Sequence, residues 1–226
     1  MAAITLDFES ILSYAPVLVR GVRYTLELTA AGALGGFLVG MLCAWARTGA
    51  PPWARRPFIA YVEFVRNTPF LVQLFFIFFG LPAMGIRMSG LQASCLAIIL
   101  NSGAYNSEII RAGIEATPRG QIEAAESLAL TRASTFLHVV LVPALKRVWP
   151  ALASQVVLMM LDSSVCSQVA VEELTFAGNF IQSRNFRSFE TYLVITCIYA
   201  VLAYLARHVL LKADGWLLVR RKVTHG

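Results

Sequence analysis

Residues 119–132, which read RGQIEAAESLALTR, form a polar, helix-favouring stretch in a chain that is otherwise mostly apolar. Of the 226 residues, 58% are hydrophobic and only 14% are charged. A soluble domain carries roughly 25% charged residues. The composition therefore indicates a protein embedded in lipid, and residues 119–132 are expected to lie outside the bilayer.

Five apolar windows flank this stretch, and each is long enough to cross about 30 Å of hydrocarbon as a helix. They cover residues 28–46, 67–86, 88–107, 148–171 and about 191–206. We therefore predict an all-α integral membrane protein with five transmembrane helices and its two termini on opposite sides. No internal repeat or long linker is apparent, so we treat residues 1–226 as one membrane domain with a core at about 20–211.

The basic residues predict the orientation of the chain. The connections after the first and third windows and the C-terminal tail carry thirteen Lys and Arg residues, against five on the other side. Because cytoplasmic loops are enriched in Lys and Arg, we expect the N-terminus outside and the C-terminus in the cytoplasm. The acidic residues Asp7 and Glu9 and the lack of an early basic stretch argue against a cleaved signal peptide. The formal net charge is +6, but no basic helix or aromatic-basic motif accompanies it, so we do not expect nucleic acid as a partner.

The connection at about 116–147 has a helical pattern of its own. Thr117 and Pro118 are typical of a helix start. The residues expected on one apolar face are Ile122, Ala125, Leu128 and Ala129. Glu123 falls on another face, so the pattern predicts an amphipathic helix outside the membrane. Either this is an ordinary helical connection or it is a docking surface, and a structured connection of such length usually has a function.

A second helix is predicted directly after the first. Thr131 can cap it, and an apolar stripe runs through Phe136, Val139 and Val140. We expect the prolines Pro143 and Pro150 to interrupt it.

Several motifs in these places resemble one known family. Glu123, Ala124 and Ala125 form a Glu-Ala-Ala motif, preceded by PRGQ at 118–121. The segments FVRNTPFLVQ at 64–73 and YNSEIIRAGI at 105–114 complete the pattern. Together they resemble the permease subunits of bacterial ATP-binding-cassette (ABC) importers, in the polar amino acid branch, over about residues 20–207.

The resemblance implies a type I importer fold in the bacterial inner membrane, in which the polar stretch is a coupling helix. The residues it implies for coupling to a separate ATPase are Glu123, Ala124, Ala125, Ala129, Leu130 and Thr131. The implied partners are a second copy or a sister permease, two cytoplasmic ATPases, an external solute-binding protein, an amino acid and membrane lipid. ATP and magnesium would be used by the ATPase. This chain departs from the family at Ala129, where glycine is usual, and at Pro143, which is displaced by one position.

Nothing in the sequence indicates an enzyme. The phosphate-binding pattern Gly-x-x-x-x-Gly-Lys-Ser/Thr is absent, so no ATP site is expected in this chain. The three histidines, His138, His208 and His225, lack metal-ligand spacing. We therefore expect no catalytic residue, no metal site and no cofactor in this subunit.

Ionisable residues inside the windows are candidates for function, since charge in a bilayer is costly. Glu63 and Arg66 are spaced for an ion pair on one helix. Asp162 needs a partner, which is either a neighbouring helix or the solute. In the resembling family these motifs line a cavity, which implies a substrate pathway at Glu108, Asp162, Ser163 and Ser164. The usual Lys before the aspartate is Leu161 here, which favours a basic or zwitterionic amino acid.

Two other classes fit a polytopic chain. A self-sufficient secondary carrier or channel would need no docking helix, and such carriers typically show internal repeats. A membrane anchor that only assembles other proteins would have no polar cavity.

Overall fold

The computed structural model describes the backbone of residues 7–217 and the side chains of residues 7–213, and within this range the chain is all-helical. Arg220, Arg221, Lys222 and His225 lie outside the described residues. The helices are α1 (Glu9–Leu12), α2 (Ala15–Gly49), α3 (Pro52–Arg66), α4 (Phe70–Phe75), α5 (Leu81–Ala83), α6 (Gly90–Glu115), α7 (Arg119–Ser127), α8 (Arg132–Ser134), α9 (Val142–Asp162), α10 (Leu174–Asn185) and α11 (Ser188–Leu217). Two π-helical segments, Phe76–Gly80 and Thr135–Leu141, and a 3₁₀ segment, Ser163–Val169, join successive helices.

Helix α2 is longer than its apolar window. Its 35 residues span about 52 Å, well beyond the hydrocarbon thickness. The added turns carry charges that are paired: Arg20 lies 2.9 Å from Glu172, and Arg23 lies 2.7 Å from Glu27. The predicted window therefore stops at the charged residues, whereas the helix extends through them.

A row of glycines joins α2 to α6. Gly32, Gly36 and Gly40 are spaced four apart, so they lie on one face of α2. A methyl group added at Gly36 would lie 2.5 Å from Ser102 Oγ, and one added at Gly40 would lie 2.6 Å from Asn106 Cβ. Small residues at this spacing let two helix backbones approach closely in a membrane. The contacts advance together along both chains, so α2 and α6 are parallel.

The second window is a broken helix. Helix α3 is bent by 112° from the segment Phe70–Ala83. Pro69 precedes α4 in an extended conformation, so α4 starts later than the window at residue 67. The side chain of Gln73 satisfies backbone carbonyls at the break, since its Nε2 donates to the carbonyls of Val65 (2.7 Å) and Thr68 (3.0 Å). Asn101 of α6 then donates to Gln73 Oε1 at 3.0 Å.

The predicted interruption at the prolines is wrong. Residues Arg132–Val169 form one helical span that includes α8, the π segment, α9 and the 3₁₀ turn. Pro143 lies in the first turn of α9, directly after the π segment, and Pro150 lies inside α9. Proline is tolerated in membrane helices because local π adjustments and neighbouring groups satisfy the freed backbone.

The end of the fold that holds the start of α2 contains a buried helix cap. The carboxylate of Glu173, which is fully buried, accepts hydrogen bonds from the backbone N–H of Thr175 and Phe176 at the start of α10 and from Tyr199 Oη. Burial raises the pKa of Glu173 above its usual value. The hydrogen bonds act in the opposite direction but are the smaller effect. The cap fixes α10 against α11.

The helix contacts define which ends lie together. Gly113 near the end of α6 contacts Ala144 and Val148 near the start of α9, so these helices are antiparallel. Trp149 Nε1 donates to the carbonyl of Leu210 at 2.8 Å, which places the end of α11 beside the start of α9. The ends of α2, α6 and α11 and the start of α9 therefore share one side of the subunit.

In the part of the chain that the structure describes, three helices are long and apolar enough to cross a membrane: Ala15–Gly49, Arg132–Val169 and Ser188–Ala213. Counting the bent pair Pro52–Arg66 and Phe70–Ala83 as one span gives a fourth. Helix α6 is less apolar because it carries Asn101, Ser102, Asn106 and Ser107, all of which are buried. The five predicted spans are thus matched only in part by this criterion.

Candidate coupling and translocation sites

Helix α7 lies where the polar helix was predicted and ends in a tight turn at Ala129. The backbone N–H of Ala129 donates to Glu126 O (2.9 Å), and that of Leu130 donates to Ala125 O (3.1 Å). This is the Schellman motif, which needs a left-handed residue, usually glycine. Ala129 takes that conformation with φ 56°. The alanine that departs from the family pattern therefore occupies the position where glycine is favoured.

The apolar face of α7 is divided between the fold and the solvent. Ala125 is buried and Ile122 is half-buried against the following helix. Leu128 and Leu130, by contrast, are 76% and 41% exposed. The expectation of one face from Ile122 through Ala129 is therefore corrected, because the helix ends at Ser127 and the turn at Ala129 redirects the chain.

A shallow groove of about 390 Å³ separates α7 from the π segment. Its lining includes Ala124, Ala125, Leu128, Leu130, Val139 and Pro143. Glu123 is exposed at the same helix, and Thr131 caps the next helix by accepting from the Ser134 backbone N–H at 3.3 Å. The six residues predicted for coupling therefore lie within α7 and the turn that follows it, and three of them, Ala124, Ala125 and Leu130, line this groove.

Glu108 lies near the end of α6, shortly before the connection that holds α7, and it contacts arginines from three helices. Arg47 of α2 donates to its carboxylate, and Arg111 of α6 lies at 2.7 Å. Arg66 of α3 lies at 3.8 Å and also faces the ring of Tyr105. The predicted pair between Glu63 and Arg66 is wrong, because Arg66 at the last turn of α3 reaches across to α6.

Asp162 ends α9 and is exposed on the surface of the single subunit. Among the described side chains it has no hydrogen-bond or ion-pair partner. Ser163 differs, since it is buried and its hydroxyl donates to the Met160 carbonyl at 2.6 Å. Ser164 is half-buried, and its carbonyl accepts from Ser167 Oγ at 2.9 Å. Of the predicted pathway residues, Asp162 has the side chain most available to another molecule.

The structure does not bring Glu108 and Asp162 together. Gly32 contacts both Ile98 of α6 and Met159 of α9, so these two residues lie at one level. Glu108 is ten residues beyond Ile98, about 15 Å along the helix. Asp162 lies beyond Met159 in the other direction because α9 is antiparallel to α6. The two carboxylates therefore belong to different parts of the subunit.

Two features were missed in the sequence. The glycine row of α2 was visible as Gly-x-x-x-Gly-x-x-x-Gly at positions 32, 36 and 40, a known signal for membrane helix packing. The hydrogen bond between Gln73 and Asn101 joins residues 28 apart in sequence. No local pattern identifies such a pair.

These features define a class: a polytopic membrane protein that has a short, exposed polar helix between two of its long helices and an enclosed cluster of ionisable groups. The chain belongs to the family described as binding-protein-dependent transport system inner membrane component, which matches residues 36–210. It is therefore a multi-pass inner membrane protein and a permease subunit of an ABC importer.

Relatives with known names cover nearly the whole chain. The glutamine transport system permease protein GlnP of Escherichia coli K12 is 32% identical over 92% of this chain and 96% of its own length. The L-cystine transport system permease protein TcyB of Bacillus subtilis is 34% identical over 85% of this chain and 83% of its own length.

Two solved structures share the fold. One is a crystal structure of an amino acid ABC transporter with histidines, with a TM-score of 0.85 and 35% identity, covering 93% of this chain and 99% of the other. An inward-facing structure of the MetNI methionine ABC transporter has a TM-score of 0.75 at 22% identity, over 91% and 98% of the two chains. The second supports the fold alone, which is that of type I importer permeases.

Proposed function

We propose that this subunit moves a polar amino acid into the cytoplasm and is driven by a separate ATPase that docks on α7. The observation that supports it best is the pair Leu128 and Leu130, which α7 exposes beside the carboxylate of Glu123. Exposed apolar side chains outside the bilayer typically mark a protein interface. Such side chains are commonly buried when the helix that carries them binds in an apolar groove of a partner protein.

A five-span arrangement, which we include in this proposal, is consistent with this role. Helices α2 and α6 are parallel, so the chain between them must return across the membrane, and the segment Phe70–Ala83 provides that return. Helix α6 has 26 residues, about 39 Å, which is long enough to cross. With α9 and α11 the spans alternate in direction, which leaves the N-terminal and C-terminal ends on opposite sides.

The basic residues assign the sides in this proposal. Arg47, Arg111, Arg119 and Arg132 lie at the side that holds α7, and positive charge favours the cytoplasm. Helix α7 would then face the cytoplasm, where ATP is available. The partners would be a second permease, two ATPases and, on the outer side, a solute-binding protein.

The nature of the solute follows from Asp162 and from the relatives. Their names refer to glutamine and cystine, and the similar structure holds histidines, all of which carry an α-ammonium group. A carboxylate that has no partner among the described residues of its own subunit can bind that cation. The proposed substrate is therefore a zwitterionic or basic amino acid.

Uptake into proteoliposomes tests the proposal. The chain is purified with its co-expressed neighbours, and uptake of labelled glutamine, histidine and cystine is measured with and without ATP. We expect an ATPase to co-purify and uptake of at least one solute to require ATP. ATP-independent uptake by the chain alone would instead indicate a self-sufficient carrier.

Charge reversal tests the docking site. Glu123→Lys should leave the subunit folded, because the side chain is exposed, but should release the ATPase by opposing a basic partner surface. Glu9→Lys is the matched control, since Glu9 is also exposed at a helix start but lies at the other end of the fold. Equal ATPase retention in Glu123→Lys and the wild type would refute docking through Glu123.

A further inference from the structure

The carboxylate of Glu108 is the meeting point of three helices. Arg47 comes from the end of α2, Arg66 from the end of α3, and Arg111 from the next turn of α6 itself. Arg47 and Arg111 are largely enclosed, with 11% and 29% of their side chains exposed. Glu108 therefore joins the three helix ends on the side that carries α7.

The cluster depends on Glu108 more than on any other anion. The Nε atoms of Arg47 and Arg111 are buried and have no hydrogen-bond partner among the described residues. Arg111 has a second acid, Glu115, at 2.6 Å, but Arg47 and Arg66 have only Glu108 among the described ion pairs. Removing its charge would leave the enclosed guanidinium of Arg47 without an acid among the described residues, and a buried cation without an acid is destabilising. It would also remove the one described ion pair of the partly exposed Arg66.

The cluster is also close to α7 along the chain. Helix α6 ends at Glu115, and α7 begins four residues later at Arg119. Beside it, Arg147 of α9 donates to the Gly113 carbonyl at 3.2 Å. A displacement of α7 is therefore transmitted first to the last turns of α6, where Glu108 connects them to α2 and α3.

We propose that Glu108 is a positioning residue that makes the ends of α2, α3 and α6 move with α7, rather than a residue that binds the solute. Its acceptor oxygens already contact arginines, and it lies about 15 Å or more from the level of Asp162. This inference depends on the proposed ATP-driven transport. It predicts that loss of Glu108 uncouples ATP hydrolysis from transport without weakening solute binding.

The experiment measures two quantities in proteoliposomes that contain the permease and its co-purified ATPase. One is the number of solute molecules moved per ATP hydrolysed, and the other is the KM for whichever of labelled glutamine, histidine or cystine the wild type takes up. The variants are Glu108→Gln and Arg66→Gln. The second keeps the test decisive if the first fails to assemble, because the Arg66 side chain is 42% exposed. Glu115→Gln is the control, since this acid is 55% exposed and contacts Arg111 alone.

In Glu108→Gln we expect the solute moved per ATP to fall by roughly threefold or more, with KM within about twofold of the wild type. Arg66→Gln should show a smaller fall in the same ratio, and Glu115→Gln should match the wild type. A raised KM with an unchanged ratio in Glu108→Gln would overturn the inference in favour of a substrate contact. A ratio in both variants equal to that of Glu115→Gln would also overturn it. Failure of the proposed function is distinguishable, because the wild type itself would then show no ATP-dependent uptake.

Discussion

The α2–α6 interface and the α7 segment differ in what completes their packing. At the interface, Gly32, Gly36 and Gly40 bring two helices into direct contact, and the facing residues of α6 are buried within the subunit. In the α7 segment Ala125 is buried, while Leu128 and Leu130 next to it remain exposed. The packing of the first region is complete within the subunit, whereas in the proposed function another protein completes the packing of the second.

This difference predicts that mutations in the two regions have different effects, on stability in the first and on function in the second. Changes at the glycine row should alter the stability of the isolated subunit, since every group involved belongs to it. Changes on the exposed side of α7, or at Asp162, should alter function and leave that stability unchanged. The predictions below test this division.

Gly40→Leu should have the largest effect on the stability of the isolated subunit. A Cβ at this position would lie 2.6 Å from Asn106 Cβ and 3.0 Å from the Ser107 backbone nitrogen, so one helix must move. Overpacking of this kind costs about 1–3 kcal/mol or more. Gly49→Leu, at the end of the same helix, is the control, because the nearest atom lies at 3.9 Å. Thermal unfolding in detergent should show a large loss for Gly40→Leu alone; equal stability of the two variants would disprove tight packing here.

Leu128→Asp should weaken ATPase binding without changing stability. The side chain is 76% exposed, so its replacement removes little packing from the subunit. At a protein interface, loss of a central apolar contact costs about 2–4 kcal/mol. The dissociation constant for the ATPase, measured by titration of the purified subunit, should therefore rise. A lower melting temperature with unchanged ATPase affinity would contradict the division between the two regions.

Asp162→Asn should reduce uptake and leave the subunit stable. Its carboxylate has no partner among the described side chains of residues 7–213, so the fold loses no ion pair. A charged hydrogen bond to the solute would be lost, at about 1.5–3 kcal/mol. Solute affinity and the melting temperature are measured together. A loss of stability that fully accounts for the lower uptake would remove Asp162 from the solute pathway.

Ala129→Gly should have the smallest effect, and in the favourable direction. Because Ala129 has φ 56°, glycine relieves a strain of about 1 kcal/mol. The melting temperature should rise by about 2–4 °C. Ala60→Gly, in the interior of α3, should instead lower it, since glycine disfavours a helix. A fall in both variants would show that the turn at Ala129 is not strained.

Hydrophobicity and local patterns predicted some of the elements, and α7 starts within one residue of the position that Thr117 and Pro118 indicated, although Pro118 is its N-cap and no side chain caps it. They did not predict how helices break or continue. Pro143 and Pro150 were expected to end a helix, but membrane helices adjust around proline. Conversely, Pro69 separates α3 from α4, and the 112° bend there depends on Gln73 and Asn101 from different helices.

The candidate site was predictable to the extent that its residues are adjacent in sequence. The coupling residues from Glu123 to Thr131 are such a set. Glu108 is not, because its partners Arg47 and Arg66 lie 61 and 42 positions earlier and reach it only through helix packing. Its distance from Asp162 likewise follows from the antiparallel course of α6 and α9, which the motifs do not contain.

Photo-crosslinking tests the central claim, that a separate ATPase docks on α7, most directly. A photoreactive phenylalanine analogue is placed at Leu128 or, as a control, at Leu34, which is similarly exposed (72% against 76%) but lies within the bilayer-spanning part of α2. We expect an adduct between the permease and the ATPase from position 128 and none from position 34. An ATPase that co-purifies but forms no adduct from position 128 would contradict the account.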